Sequence, residues 1–482
     1  MRSRSRSRPR PQAITPLPKL QLATVFAIKV LIPISSTQIL PYVNEMMEKF
    51  GLSKGAGAGY YSGLVTSSFG IAQLLSMYYW GKLSDNIGRL PVILMGTIGV
   101  SITSALFGVS RTFPMMLLTR FLSGVFCGTT GAIHSVVGEL SDETNASTAF
   151  PLYDICSAIG FAVGPLIGGT FANPAEQYPE WFNTPFFRAY PYLLPCLINA
   201  LIAVVASILA VFILEETLPM KRKKQSVPSP PSELVAMDEE EEPAYPILPP
   251  LEPPKPPTVK SLLSIPVIRA ICLSTGSLGF IAGSFNHVFV LMAYAPILDG
   301  GLALSPSQIG RLMFFMGTTS IFLKLSMPFL LRRFDHLTVF TVCTMIWPFT
   351  FALMPVLNAI RRGEQDPNPN VIENAWLWAG VRLVLVMSRV GTMVFSIVMI
   401  LVRETAPGPA SLGTTNGLTE FVQSGFGSLS SAVISSLFAV SASKHLVGGQ
   451  LWVVFSILVS LCASGFAEGI RKHRNLQRLH PE

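Results

Sequence analysis

The sequence predicts an all-α integral membrane protein that crosses a bilayer twelve times, six spans on each side of a long polar linker. Half of its residues are hydrophobic and only 13% are charged, against roughly 25% charged in soluble domains, and the mean hydropathy is +0.50. Apolar windows long enough for a helix to cross the hydrocarbon fall near 20–41, 59–80, 91–110, 113–138, 149–172, 192–214, 266–292, 306–330, 336–356, 375–401, 412–440 and 449–469. Between the sixth and seventh windows, Lys221 to Lys260 holds eleven prolines and the acidic run Asp238 to Glu242, a composition that cannot bury a core. The expected organisation is a disordered basic arm (1–19), a first six-helix unit (20–218), a disordered linker (219–262), a second six-helix unit (263–470) and a basic tail (471–482).

Orientation follows the Lys and Arg content of the loops. With the N-terminus inside, Arg2, Arg4, Arg6, Arg8, Arg10, Lys82, Arg89, the run Lys221 to Lys224, Arg332, Arg333 and the tail bases Arg471, Lys472, Arg474 and Arg478 share one side. The other side holds scattered bases such as Lys49, Lys54, Arg111, Arg188 and Lys444. Both termini are therefore expected in the cytoplasm. The Arg-Ser leader lacks the pattern of a cleavable signal; it holds the terminus inside, explains much of the net charge of +8, and implies no nucleic-acid partner. Cys127, Cys156, Cys196, Cys272, Cys343 and Cys462 lie in or at the ends of spans without paired spacing, so neither a disulfide framework nor a metal site is expected. The sequon at Asn145 falls on the cytoplasmic side and is discounted.

The first span carries Lys29 and ends through Pro33, Ser35, Ser36, Thr37 and Gln38. A lysine at that depth costs at least ~2.5 kcal/mol against lipid, so Lys29 should face a cavity or a partner. The second span has small and polar positions, Ser62, Gly63, Ser67, Gly70 and Gln73 among them, suited to close packing and to an interior surface. Between the second and third spans runs Gly81-Lys-Leu-Ser-Asp85-Asn-Ile-Gly88-Arg89-Leu-Pro-Val. Gly81 and Gly88 would let one helix end tightly and another backbone approach. Asp85 can cap the positive N-terminus of a neighbouring helix, and Arg89 can fork to a carboxylate on another helix end. Glu139 is the expected carboxylate, with Asp142 second. Contacts of this kind exist in one helix arrangement and make a conformational latch; the alternative is a short charged loop serving topology alone.

The fourth span opens with Arg120 and continues through Gly124, Gly128 and Gly131; the fifth carries Asp154 and then Gly160-Phe-Ala-Val-Gly164-Pro165-Leu-Ile-Gly168-Gly169. Glycines four apart allow backbone contact, and Pro165 removes a helix hydrogen bond. In the second unit Leu330 to Asp335 keeps base and acid but not the glycines. The remaining charges within spans are Lys324, Arg382, Arg389 and Glu420, so five bases stand against two acids. His287 reads either as a proton relay or as a packed, hydrogen-bonded histidine.

The Gly81–Val92 loop resembles the signature loop between the second and third helices of the major facilitator superfamily, with Leu90 where that family usually has a second base. The patterns at Arg120 to Gly124 and at Gly160 to Gly169 resemble motifs of its drug-proton antiporters. Tyr61-Ser-Gly63, Ser67-Ser-Phe69, Gln73, Trp80-Gly81, Tyr190-Pro-Tyr-Leu-Leu-Pro195, Gly300-Gly301-Leu302 and Leu412-Gly-Thr-Thr-Asn-Gly417 resemble the zinc-induced facilitator-like branch, including its fungal members. Lys29 and Ile32 replace the Arg and acid typical of that branch, and Glu420 its more usual amide. The resemblance implies two six-helix bundles with a substrate site between them and proton-coupled export of a small organic molecule, whether organic anion, metal chelator or drug-like compound.

On that basis Arg120, Asp154 and Glu420 are the candidates for proton coupling, and Lys29, Gln38, Gln73 and Arg389 for the substrate cavity. The expected partners are the substrate, protons and the lipid bilayer, for a monomer without cofactor in the plasma or vacuolar membrane. An enzyme is disfavoured, since the chain has no phosphate-cradling loop, no metal-spaced cluster and no soluble domain to hold a site. A pore-lining ring or filter of the kind a channel needs is not evident either. A uniporter or importer of the same fold and a non-transporting receptor remain open alternatives.

Overall fold

The computed structural model describes residues 17–52, 57–141, 145–218, 259–363, 375–405 and 409–479, and among these every regular element is a helix. The Arg-Ser arm, Lys54, Asp142 and most of the Pro-rich linker lie outside the described residues. The principal helices are α1 (Lys19–Thr37), α2 (Val43–Lys49), α3 (Ala58–Ile87), α4 (Arg89–Gly108), α5 (Phe113–Cys127), α6 (Thr130–Leu140), α7 (Ala146–Phe171) and α8 (Leu193–Ile213) in the first half. In the second they are α9 (Pro266–Tyr294), α10 (Pro306–Arg333), α11 (His336–Arg362), α12 (Ala375–Thr392), α13 (Val394–Thr405), α14 (Pro409–Ser443) and α15 (Leu451–Leu479).

Ten described helices are long and apolar enough to cross a membrane. The other two expected spans are helical as well. The second is α3, 30 residues long, whose polar interior face lowers its hydropathy. The last is α15, apolar over Leu451–Phe466 and continuing as helix into the expected tail, while Val259–Ser264 turns the end of the expected linker into a short helix. The fourth span breaks between α5 and α6, and the tenth between α12 and α13.

Helix ends follow local chemistry. Ser305 and Gln308 close a capping box at the start of α10, where Pro306 fills the first turn. Asp335 caps α11 by accepting from the Leu337 N–H at 3.2 Å. Gly88, at φ +110° and ψ 162°, separates α3 from α4 with a backbone that residues bearing a Cβ rarely adopt.

Buried apolar side chains sort by half, save Leu40, which joins the main cluster of the second half. One cluster centres on Phe285, Phe289, Trp347 and Phe351, and three more lie within the first half. Large apolar residues such as Leu201, Phe212, Phe329 and Phe349 are exposed, as a lipid-facing perimeter requires. Both halves present the ends of their first and last described helices, the α3–α4 turn and the edges of the linker on one face, called here the linker end; α2 and the α9–α10 turn mark the far end.

The halves meet along two seams of small residues. On α3, Gly59, Gly63 and Gly70 face Leu291, Ser435, Ser431 and Ser428, and the Ser67 and Ser431 hydroxyls share a hydrogen bond of 2.5 Å. On α7, Gly169 packs against Gly310 of α10, and Ala162 against Gly317. At the far-end rim the Tyr294 hydroxyl donates to Glu48 at 2.7 Å, while Lys49 pairs with Glu45 at 2.9 Å and donates to Asn173 at 2.7 Å. Toward the linker end Gly81 and Gly417 face open space, and the mid-helix acids Asp154 and Glu420 are exposed. The structure is therefore closed at the far end and open at the linker end. Because a hydrogen bond to a charged group contributes about 1.5–3 kcal/mol, Tyr294→Phe should weaken this closure. Spin labels across the rim are expected to report longer distances in the variant; an unchanged distribution would show that the bond contributes nothing.

Candidate transport site and latch

Arg89 meets the carboxylate that the spacing pointed to, Glu139, whereas the acid of the loop, Asp85, is placed differently. The Arg89 side chain, 11% exposed, pairs with Asp85 at 2.6 Å and with Glu139 at 2.9 Å, and also donates to the Ser84 hydroxyl at 2.7 Å. Its Nε and Nη2 converge on Glu139 Oε1, while Thr217 donates to Oε2 at 2.5 Å. Among the described residues Asp85 caps no neighbouring helix and pairs instead with Arg89. The N-terminus of α4 is capped by Glu216, which accepts from the Arg89 N–H at 2.9 Å and the Leu90 N–H at 3.3 Å. A Cβ on Gly88 would run into that carboxylate, so Gly88 is required twice, for its backbone and for Glu216. Gly81 does not end a helix, because α3 runs through it to Ile87. Glu216 and Thr217 were not legible as latch residues; the only signal was an acid just after the sixth apolar run.

In the fifth-span motif, Gly160, Gly164 and Gly168 form one face against α1. A Cβ at Gly160 would fall 2.5 Å from the Val30 carbonyl oxygen, one at Gly164 3.0 Å from Ile34 Cα, and one at Gly168 would overlap the Gln38 carbonyl. Gly169 leaves this face to meet α10, and the Pro165 carbonyl touches Gly310. One helix thus packs on its own half and on the opposite half together.

Of the charged candidates, Lys29, Asp154 and Glu420 come together and the rest do not. The Lys29 ammonium sits 4.2 Å from the centre of the Tyr153 ring, whose edge contacts His134 at 5.4 Å. Asp154, Glu420 and Lys324 are near enough to act electrostatically on Lys29. No carboxylate among the described residues lies within 4.0 Å of Lys29 or Lys324. Four formal charges, one base and one acid from each half, thus lie within electrostatic reach of Lys29, and among the described residues no ion pair joins them.

Arg120 lies elsewhere. It is 4% exposed and donates to the Ser35 and Ser36 carbonyl oxygens at 2.8 and 3.0 Å, with its guanidinium 4.4 Å from the Phe69 ring centre. These are carbonyls that the end of α1 leaves unpaired, so Arg120 acts as a cross-helix cap at the negative pole of α1. Gln38 is buried beneath Gly168. Gln73 reaches the α5–α6 break through the Cys127 carbonyl and the Thr130 hydroxyl at 3.4 and 3.5 Å. Arg389 is held by Asn286 of α9 at 3.1 Å and by the Ser388 hydroxyl at 3.2 Å. His287 lines a small cavity in the far-end seam with Asn44, Ser62, Thr66 and Ser435. Tyr153 and Lys324 complete the charged site, although spacing alone gave neither a role there.

A model of the Major Facilitator Superfamily matches residues 25–432. The chain is 37% identical to the major facilitator-type transporter psiT2 of Psilocybe cyanescens over 93% of its own length and 89% of that protein. It is 26% identical to the multidrug transporter mfsB of Aspergillus fumigatus over 93% and 82%. To Zinc Induced Facilitator 1 of Arabidopsis thaliana it is 29% identical over 62% of each chain, in line with the branch expected from its motifs. A bacterial homologue of the human lysosomal transporter Spinster, solved in an inward-facing and occupied conformation, superposes with a TM-score of 0.65 at 13% identity, covering 95% of this chain and 98% of that one. With the superfamily model spanning most of the sequence and the helices forming that fold, the chain belongs to the major facilitator superfamily and is a multi-pass membrane transporter.

Proposed function

We propose that the protein exports a small organic molecule from the cytoplasm in exchange for protons, exposing the site at Lys29, Tyr153, Asp154, Lys324 and Glu420 to the two sides of the membrane in turn. The observation that carries this reading is that charges of both signs, drawn from both halves, lie within electrostatic reach of Lys29 with no ion pair among them in the described residues, the two acids exposed. A carboxylate with no fixed partner can hold a proton or answer a positive charge on the substrate, but not both, so taking up one releases the other. With both termini cytoplasmic, the open linker end faces the cytoplasm, and the far-end seams must part for release. The glycine-rich helix α7, which packs on both halves, supports a rocking motion between two packed states. The protein works as a monomer, the site lying wholly within one chain. The membrane is either the plasma or the vacuolar membrane.

The test is flux through purified protein in sealed vesicles under an imposed pH gradient, with labelled anionic chelators, organic acids and cationic drugs. Asp154→Asn and Glu420→Gln are each expected to reduce gradient-driven flux about tenfold or more, the scale of a coupling free energy of ~1.4 kcal/mol or above. Full gradient-driven flux in both variants would remove the carboxylates from coupling. Flux indifferent to the gradient would indicate a uniporter.

A further inference from the structure

We infer that the substrate is a zwitterion, a small molecule carrying one cationic and one anionic group, whose two charges are met by opposite poles of the Lys29, Asp154, Lys324 and Glu420 cluster. This rests on the export reading for its site and extends it to the chemical class of the cargo.

The placement comes from helix register. Ala162 of α7 packs against Gly317 of α10. Asp154 lies eight residues before Ala162 and Lys324 seven after Gly317, two turns along antiparallel helices toward the linker end and on the faces that already meet. The α1–α7 seam works in the same way. Gly160 meets the Val30 carbonyl, and Tyr153, seven residues before Gly160, carries its ring to the Lys29 ammonium. Glu420 lies eight residues before Ser428, the residue of α14 that packs on Gly70, two turns below that seam, exposed and within electrostatic reach of Lys29. Lys29, level with Ile159 of α7, carries its ammonium back toward the linker end to the Tyr153 ring, so two acids and two bases lie on the linker-end side of the seams.

The in-span bases Arg120 and Arg389, by contrast, are bound by carbonyl, amide and hydroxyl groups. The cluster is different, since Lys29 and Lys324 have no carboxylate in contact. A singly charged cation would answer the carboxylates and add a third positive charge near the two ammonium groups; an anion would do the reverse. A molecule bearing both signs answers both poles and leaves the net charge of the cavity unchanged, whichever half holds which end.

The experiment is equilibrium binding to purified protein in detergent, without any gradient, using phenyl probes of matched size. Phenethylamine supplies the cation, 3-phenylpropionate the anion, and phenylalanine and 4-(2-aminoethyl)benzoate the zwitterions with short and long charge spacing. At least one zwitterion is expected to bind about tenfold more tightly than either singly charged probe. Lys29→Gln and Lys324→Gln should erase its advantage over the cation, and Asp154→Asn and Glu420→Gln its advantage over the anion, with monodispersity on size exclusion confirming that each variant is folded. Equal or tighter binding of a singly charged probe, failure of every probe to bind, or a preference untouched by all four variants overturns the proposal. The export reading fails separately. Zwitterion preference in detergent with no gradient-driven flux in vesicles would remove proton coupling and leave the substrate class, whereas gradient-driven export of the cation alone would do the opposite.

Discussion

Gly168→Val is expected to abolish recovery of folded protein. A Cβ at this position overlaps the Gln38 carbonyl oxygen and crowds the Tyr42 ring. The clash is with backbone, which cannot change rotamer, and the segment of α1 that would have to retreat is pinned by Arg120 on the Ser35 and Ser36 carbonyls. Overpacking a core typically costs ~1–3 kcal/mol when side chains can adjust; here they cannot, and the cost should reach or exceed the upper figure, a large share of a marginal stability. Gly138 and Gly417 are the internal controls, for a Cβ at either meets nothing within 4 Å. Alanine at these two should leave stability unchanged or slightly improved, because helical glycine costs roughly 1 kcal/mol relative to alanine. Size-exclusion profiles of fluorescently tagged variants would separate the cases, and a normal Gly168→Val profile would show that α1 and α7 are not so tightly seated.

Arg89→Ala should destabilise the protein by about 3 kcal/mol, the scale for removing one partner of a buried ion pair. It takes the cation from the Glu139 carboxylate, 21% exposed, leaving it the Thr217 hydroxyl, and withdraws donors from Ser84 and Asp85 together. Asp85→Asn is expected to cost less than ~1 kcal/mol, since Asp85 is 63% exposed and pairs of that kind are worth little. The two variants therefore distinguish scaffold from switch. Arg89→Ala should lower the melting temperature markedly, whereas Asp85→Asn should melt close to wild type and, if the latch governs exchange between conformations, lose transport all the same. Equal melting temperatures for the two variants would contradict the division of labour seen around Arg89.

By itself the sequence determined the membrane class, the positions of the spans, the Gly88–Arg89 turn and the glycine face of α7. These follow from apolar length and from residue types whose backbone or packing consequences are local: a glycine that must adopt positive φ, a proline within a helix, small residues four apart. It also marked Lys29, Asp154 and Glu420, because a charge inside an apolar span is conspicuous without any knowledge of its neighbours. Which of the marked charges share a cavity was decided only by tertiary structure. Arg120 and Asp154 are equally conspicuous in the sequence, yet one caps the carbonyls of α1 and the other is exposed, because partner choice depends on how far each helix slides along its neighbour. Glu216 took the capping role that spacing had assigned to Asp85 for the same reason. It follows α8, more than a hundred residues from the α4 N-terminus it serves, and only the packing of α8 against α4 brings its carboxylate to the Arg89 and Leu90 N–H groups.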